Sequence, residues 1–313
     1  MAFVESPTMS QPEAYPRFAS RESPWPGLLL ASSGAVAFSG KAIIVKLAYR
    51  HGVDAITLIA YRMLFALPLF VLLAVLAGRG KPALTRRDWG VVLGLGFSGY
   101  YLASTLDFIG LQYISAGLER LILYLSPTLV LLLGLVFFKR QVKATQVAAL
   151  GVSYAGVLVV FGHEASLLGS HVTLGALFVF ASTLSHAVYL LYSGEEVKRL
   201  GALRLTGLAS TVACLLCIVQ FAVLRPLAAL TVAPEVLWLS LLNATLCTFA
   251  PILLVMMAIE RIGAVLATQV GMIGPLSTIL MGVLILGEPF TAWLVAGTAL
   301  VLLGIWMLAQ RMR

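Results

Sequence analysis

The sequence predicts an all-α integral membrane protein. It has ten transmembrane helices in two inverted five-helix repeats, with both termini cytoplasmic. Three observations predict this. Of 313 residues, 60% are hydrophobic and 11% charged, where a soluble domain carries roughly 25% charge; the mean hydropathy is +1.00. Stretches free of Asp, Glu, Lys and Arg recur at bilayer-spanning length, and the basic residues gather on alternate loops. This composition excludes a disordered chain, a disulfide scaffold and a nucleic-acid binder, and the net charge of +8 follows from topology. Cys214 and Cys217 form a C-x-x-C within an apolar segment, and Cys247 lies in another. No second Cys pair or His cluster completes a metal site, so all three read as small buried hydrophobes.

Residues 1–25 contain Pro, Ser and Glu without an apolar core and are expected to form a disordered cytoplasmic tail. Helices are expected over about 27–49, 54–78, 88–111, 115–138 and 143–162 in a first unit spanning 26–163. A second unit, 172–310, supplies helices over about 172–193, 204–224, 235–259, 262–286 and 289–310. In lipid a helix satisfies its own backbone, which is why each span is read as one. With both termini inside, the cytoplasmic side holds fifteen basic residues, from Arg17 and Arg21 to Arg311 and Arg313. The opposite side holds only Arg50 and Arg225. One missed helix would scramble that alternation, so it supports the count as well as the orientation.

A shift of 148 residues brings the halves into register. Ile114-Ser115-Ala116-Gly117-Leu118 falls on Ile262-Gly263-Ala264-Val265-Leu266, Pro127 on Pro275, Gly134 on Gly282 and Gly156 on Gly304. Five helices is an odd number, so a tandem copy enters the bilayer upside down, the architecture of many secondary transporters. Arg140 aligns with Glu288, a basic corner inside and an acidic one outside.

With these residues in view, the chain resembles the drug/metabolite transporter superfamily, in particular its EamA-type ten-helix members. The second half fits from Ile262 to Gly304 through Pro275, Leu286-Gly287-Glu288 and Ala296-Gly297. The first half fits at Ser115-Ala116-Gly117, Pro127, Gln146, Gly151 and Gly156, and departs at Lys139-Arg140, where the family has Gly-Glu. The resemblance implies a multi-pass carrier of the plasma membrane (the bacterial inner membrane), exporting amino acids or related metabolites. It implies no cofactor, no metal and no enzymatic activity. In agreement, the sequence contains no G-x-x-x-x-G-K-[ST]. The expected partners are a small-molecule substrate and the lipid bilayer, with proton coupling, in a monomer or a homodimer.

Six charged residues fall inside spans: Lys41, Lys46, Arg62, Asp107, Glu119 and Arg120. Embedded charge costs ~2.5–3.5 kcal/mol on insertion scales and marks a functional site by default. Lys46 is shallow enough to snorkel. Lys41 and Arg62, ~10–12 Å below the outer boundary at ~1.5 Å per residue, are expected to face a water-filled cavity, or else to pair with Asp107 or Glu119. The second half answers with neutral polar groups. Tyr189 is the repeat partner of Lys41 and Thr268 that of Arg120; Ser182, Ser185, His186 and Tyr189 share one helical face.

The expected substrate-binding set is therefore Lys41, Arg62, Tyr100, Arg120, His186, Tyr189 and Gln269. His186 is either a proton relay or a satisfied structural histidine. Pro127 and Pro275 are expected hinges. Gly90-x-x-x-Gly94 is expected to mediate close helix packing.

The embedded charge sums to +2, which favours a substrate bearing a carboxylate, amino acids first. A nucleotide-sugar or phosphorylated-sugar carrier is the alternative. A reading from another class is an intramembrane serine protease, with Gly96-Phe97-Ser98-Gly99 as the nucleophile motif and His186 as base. A near copy at Ala37-Phe38-Ser39-Gly40 argues that small-residue packing explains both. A receptor or scaffold without transport is a third.

Overall fold

The structure, a computed structural model, describes residues 25–138, 144–169 and 171–310. They fold as helices α1 (Trp25–Tyr49), α2 (Ala55–Gly78), α3 (Arg86–Leu95), α4 (Ala103–Gly110), α5 (Ala116–Leu123), α6 (Ser126–Phe138) and α7 (Ala144–Leu168). There follow α8 (His171–Leu200), α9 (Ala202–Leu224), α10 (Pro234–Ala244), α11 (Ala250–Gly271), α12 (Ile273–Met281) and α13 (Ala292–Gln310). Eight helical stretches are long and apolar enough to cross a bilayer, and Ile273–Leu286 and Ala292–Met307 form two shorter apolar ones. Leu, Val and Phe side chains stand exposed along the flanks, as at Leu72, Val136, Leu158, Val223 and Leu284. In a bundle solvated by lipid such residues carry no penalty.

The helix ends collect at two poles. At one, Arg50 reaches the Leu286 carbonyl, Lys46 that of Ile114 and Tyr61 that of Leu230. Asp54 pairs with Arg225 there at 3.1 Å, and also caps α2 by accepting from the Ile56 and Thr57 amides. At the other pole Arg199 pairs with Asp88 and Glu196, and Arg204 donates to the Pro82 carbonyl. The second pole carries most of the basic loops. Exposed tryptophans ring both, Trp25 and Trp89 at the basic pole, Trp238 and Trp293 at the basic-poor one, where amphipathic rings suit the headgroup level.

Packing follows the 148-residue offset. Helix α1 lies along α11, and its image α8 lies along α4; α2 pairs with its own image α9, and α7 with its image α13. The α7–α13 crossing is held by small residues: a Cβ on Gly156 would stand 2.6 Å from the Gly297 carbonyl oxygen, and the reverse holds as well. Both positions need glycine because backbone touches backbone. Gly90 and Gly94, expected to pack in the same way, do not. Both are exposed, with nothing within 4 Å of an added Cβ. The close approach in this span belongs instead to Gly96, where a Cβ would lie 2.6 Å from the Ala209 carbonyl oxygen.

Two departures from regular helix recur at repeat-equivalent places. Gly96–Leu102 and Thr245–Phe249 are both π-helical, and the offset maps the second inside the first. π-helical turns often accompany functional sites. The chain also breaks at Tyr124–Leu125, between α5 and α6, and at Met272, between α11 and α12, again 148 residues apart. Pro127 and Pro275 sit in the first turns of α6 and α12, where a missing N–H leaves no helical bond unmade.

The expected boundary at 260–261 differs: helical bonding continues through it to Gly271. Ser115 caps the equivalent turn in the first half by accepting from the Leu118 amide. Gly263 has no side chain to do so. The chain nonetheless doubles back, because Ile262 lies against Gly27 while the Gly274 carbonyl accepts from Ser39, twelve residues further along α1.

Candidate functional site

A cavity of about 380 Å³ opens where the breaks and π-turns meet, walled by α1, α2, the α3–α4 span, α5, α8 and the π-turn before α11. Lys41, Arg62, Tyr100, Arg120 and His186 line it, together with Asp107, Thr248, Phe38 and Tyr124. Five of the seven expected binding residues thus converge on one space. Tyr189 stands just behind them, with its hydroxyl 3.1 Å from that of Tyr100 and its ring stacked on His186. The side chain of Gln269 lies outside the described residues.

Lys41, Asp107 and Glu119 form one bridged group, with Arg62 and Arg120 standing apart from it. Lys41 Nζ is 2.5 Å from Asp107 Oδ2 and 3.0 Å from Glu119 Oε1, with Asp107 and Glu119 both buried. Lys41 therefore lines the cavity and bridges two acids at once, so the two roles expected for it coexist. Arg62 Nε donates to Thr248 Oγ1 at 3.1 Å, and its guanidinium lies 5.1 Å from the centre of the Phe108 ring. Arg120 Nη2 donates to Ser39 Oγ at 2.7 Å, and its guanidinium packs over Phe38 at 5.2 Å and Tyr124 at 5.6 Å. Such cation–π contacts are worth ~0.5–2 kcal/mol each.

Three cations facing two acids leave one positive charge in excess. Among the described residues neither guanidinium has a carboxylate within 4.0 Å, and Arg62 Nη1 and Arg120 Nε have no hydrogen-bond partner. The unmatched donors are the chemically distinctive feature of the site.

The breaks complete its floor. Tyr124, at the first break, donates to the Gly271 carbonyl beside the second, at 2.8 Å. Gly274 meets the Tyr124 hydroxyl so closely that any Cβ would clash with it. Ser39 lies 2.9 Å from the Gly274 oxygen. On the far wall Ser182 donates to the Ala103 carbonyl and Ser185 to that of Ser98, while His186 Nδ1 lies 3.3 Å from the Gly99 oxygen. These two serines join α8 to the bulged third span as interhelical glue. Ser98 returns its hydroxyl to the Gly94 carbonyl, and no hydrogen bond joins it to His186 among the described residues. A nucleophile–base pair is not formed.

Thr248 and Phe38 were missed in the sequence, although the repeat points to both. Thr248 is the image of Tyr100, and Phe38 the image of His186. Applying the offset to the polar positions of each half finds both.

Comparison with known proteins agrees. The EamA-like transporter family model matches residues 25–162 and again 173–310. The "Uncharacterized transporter YcbK" of Bacillus subtilis is 31% identical over 272 residues, 84% of this chain and 86% of that one. An "Uncharacterized transporter" of Archaeoglobus fulgidus is 26% identical over 259 residues, 82% and 89% of the two chains. A WAT1-related protein of Arabidopsis thaliana is 28% identical over 211 residues, covering 58% and 59%. A solved crystal structure superposes with a TM-score of 0.62 at 17% identity, covering 93% of this chain and 100% of that one; this shows the fold alone. The all-helical, two-repeat, multi-pass membrane architecture and the family match agree on a transporter and not an enzyme, and the chain belongs to the EamA-like transporter family.

Proposed function

We propose that this protein is a secondary carrier of the plasma membrane that exports a small metabolite bearing a carboxylate, amino acids first. The unpartnered guanidinium donors carry the reading. An anion entering the cavity of about 380 Å³ finds Arg62 and Arg120 without acidic partners, and a carboxylate accepts bidentate bonds from that fork. Tyr100 and His186 flank the remainder of the ligand, with Tyr189 behind them; Gln269, one residue after Thr268, the image of Arg120, is kept in the same set. The reading includes ten spans in inverted units over 26–163 and 172–310, a cytoplasmic tail over 1–25, and both termini inside. The 15-to-2 basic bias supports that orientation. One chain walls the cavity by itself, which supports a monomer as the transporting unit, whether or not it pairs as a homodimer. Proton coupling belongs to the reading because Asp107, Glu119 and His186 are titratable groups beside the bound anion.

The experiment is counterflow in liposomes with purified protein, using a panel of amino acids, other carboxylates, phosphorylated sugars and quaternary amines. Carboxylates should exchange and amines should not. Arg62→Gln and Arg120→Gln should each lower carboxylate exchange at least tenfold, and an imposed pH gradient should change its rate. Exchange of amines alone, or unchanged exchange in both variants, would overturn the reading.

A further inference from the structure

The basic-poor pole holds few cations, and one of its two loop arginines, Arg225, is paired with Asp54 at 3.1 Å. The other, Arg50, has no carboxylate within 4.0 Å among the described residues. Neither has Lys46, four residues before it. Arg50 Nη2 donates to the Leu286 carbonyl at 2.5 Å and Lys46 Nζ to the Ile114 carbonyl at 2.7 Å. A carbonyl takes one donor and cancels no charge, whereas an ammonium carries three donors and a guanidinium five. Each cation therefore keeps both its charge and further donors to give.

Both line one cavity of about 400 Å³, together with Tyr49, Gln112, Ser115 and Glu288 among others. Glu288 brings the opposite sign, and its carboxylate accepts from the Ala116 amide at 2.9 Å, again a neutral partner. Glu164 adjoins this wall, where it accepts from both the hydroxyl and the amide of Ser115. Two cations and two acids leave the surroundings near neutral, while both signs face the cavity. A lone anion or a lone cation leaves one sign uncompensated there; a zwitterion meets both. The repeat does not demand these residues, since the image of Lys46 is Gly194 and that of Glu288 is Arg140. The cavity is also distinct from the central one, for no residue lines both. Lys41, on the central wall, precedes Lys46 by five residues, ~7.5 Å along α1.

We propose that this cavity is a second, outer binding site for the zwitterion of a free α-amino acid. The carboxylate lies on Lys46 and Arg50, and the α-ammonium on Glu288. Bonds between charged partners are the stronger ones a protein makes, and they are what the three side chains lack. In a carrier such a site gives cargo a stopping place close to the central cavity. The proposed zwitterion follows from the charges of the outer cavity alone, independently of the central one and of which pole opens.

The test is ligand protection of Gln112→Cys, an exposed position on the cavity wall, against a small maleimide. It uses the full-length protein in phosphatidylcholine nanodiscs near neutral pH. The native Cys214, Cys217 and Cys247 are buried, so protein without Gln112→Cys serves as the blank. The probes are L-alanine, propionate and ethylamine, the last two being alanine without its ammonium or its carboxylate, at one ionic strength. Alanine should slow labelling saturably, and the other two should need concentrations about tenfold higher. Lys46→Met or Arg50→Gln should raise the half-protecting alanine concentration about tenfold; Glu288→Gln should bring alanine level with propionate. Arg50 is exposed, so its variant keeps the test decisive where Lys46→Met lowers yield. The double variant Arg62→Gln, Arg120→Gln should leave protection unchanged, so failure of the central reading appears separately, in the counterflow panel. Equal slowing by all three probes, no slowing by alanine, or loss of protection in that double variant would overturn the proposal. So would slowing by phosphatidylethanolamine in the nanodisc without added solute, which would make a lipid headgroup the occupant.

Discussion

Replacing Lys41 by Met removes the charge and keeps an apolar stem of similar length. Lys41 Nζ sits 2.5 Å from Asp107 Oδ2 and 3.0 Å from Glu119 Oε1. With an effective dielectric of ~20, each contact is worth about 6 kcal/mol of gross Coulomb energy. Desolvation of the ammonium and repulsion between the acids offset much of that sum. The net cost of stranding a buried partner is typically ~3–5 kcal/mol. Glu119 is 0% exposed and its oxygens accept no hydrogen bond among the described residues, and Lys41 is the one cation within 4.0 Å of it among them, so the upper end of that range is expected. Thermal unfolding followed by size-exclusion in detergent should show a midpoint lower by roughly 10 °C, with reduced yield. The triple variant Lys41→Met, Asp107→Asn, Glu119→Gln removes the stranded charge and should recover most of the stability. If that protein folds and does not exchange substrate, the bridged group serves the cargo; if it exchanges normally, the bridge is structural. A Lys41→Met single variant with an unchanged midpoint would refute the electrostatic reasoning.

Other expectations follow from particular contacts. Pro127→Ala or Pro275→Ala should lower the rate of exchange more than substrate affinity, because each proline stands at a break that would have to bend; unchanged rates in both would remove the hinge role. Gly274→Ala puts a methyl against the Tyr124 hydroxyl and should abolish exchange, with Tyr124→Phe restoring part of it, measured in the same counterflow assay. Asp54→Ala removes the α2 cap and the Arg225 pair and should cost about 1 kcal/mol in thermal unfolding. Burial opposes the Asp54 charge, but bonds from Thr57 and Arg225 outweigh it and hold the carboxyl below its usual range. A lowered folded value means the contribution is complete above the unfolded value of about 4 and is lost as pH falls through the folded value. The acid-side loss of stability should therefore be shallower in Asp54→Asn.

Much of this molecule was legible without coordinates because the constraint acting on it is simple. A bilayer demands apolar length and internal backbone bonding, so composition alone located the eight long apolar helical stretches. The duplication, read at Pro127 and Pro275, placed the two breaks that the structure sets 148 residues apart. The same offset marked where the polar residues of each half would meet, and Lys41, Arg62, Tyr100, Arg120 and His186 do share a cavity. What remained open was which face of each helix met which neighbour. In water a helix advertises its buried side by polar residues on the other; in lipid both sides are apolar and that signal disappears. Gly90 and Gly94 could therefore be mistaken for a contact that Gly96 makes. That Lys41 bridges Asp107 and Glu119 while it lines the cavity was visible only in the tertiary structure. The π-turns at Gly96–Leu102 and Thr245–Phe249 were equally silent. The first packs against α9 and α8 and the second against α1, α10 and α11, and Tyr100 and Thr248, one on each, both line the cavity.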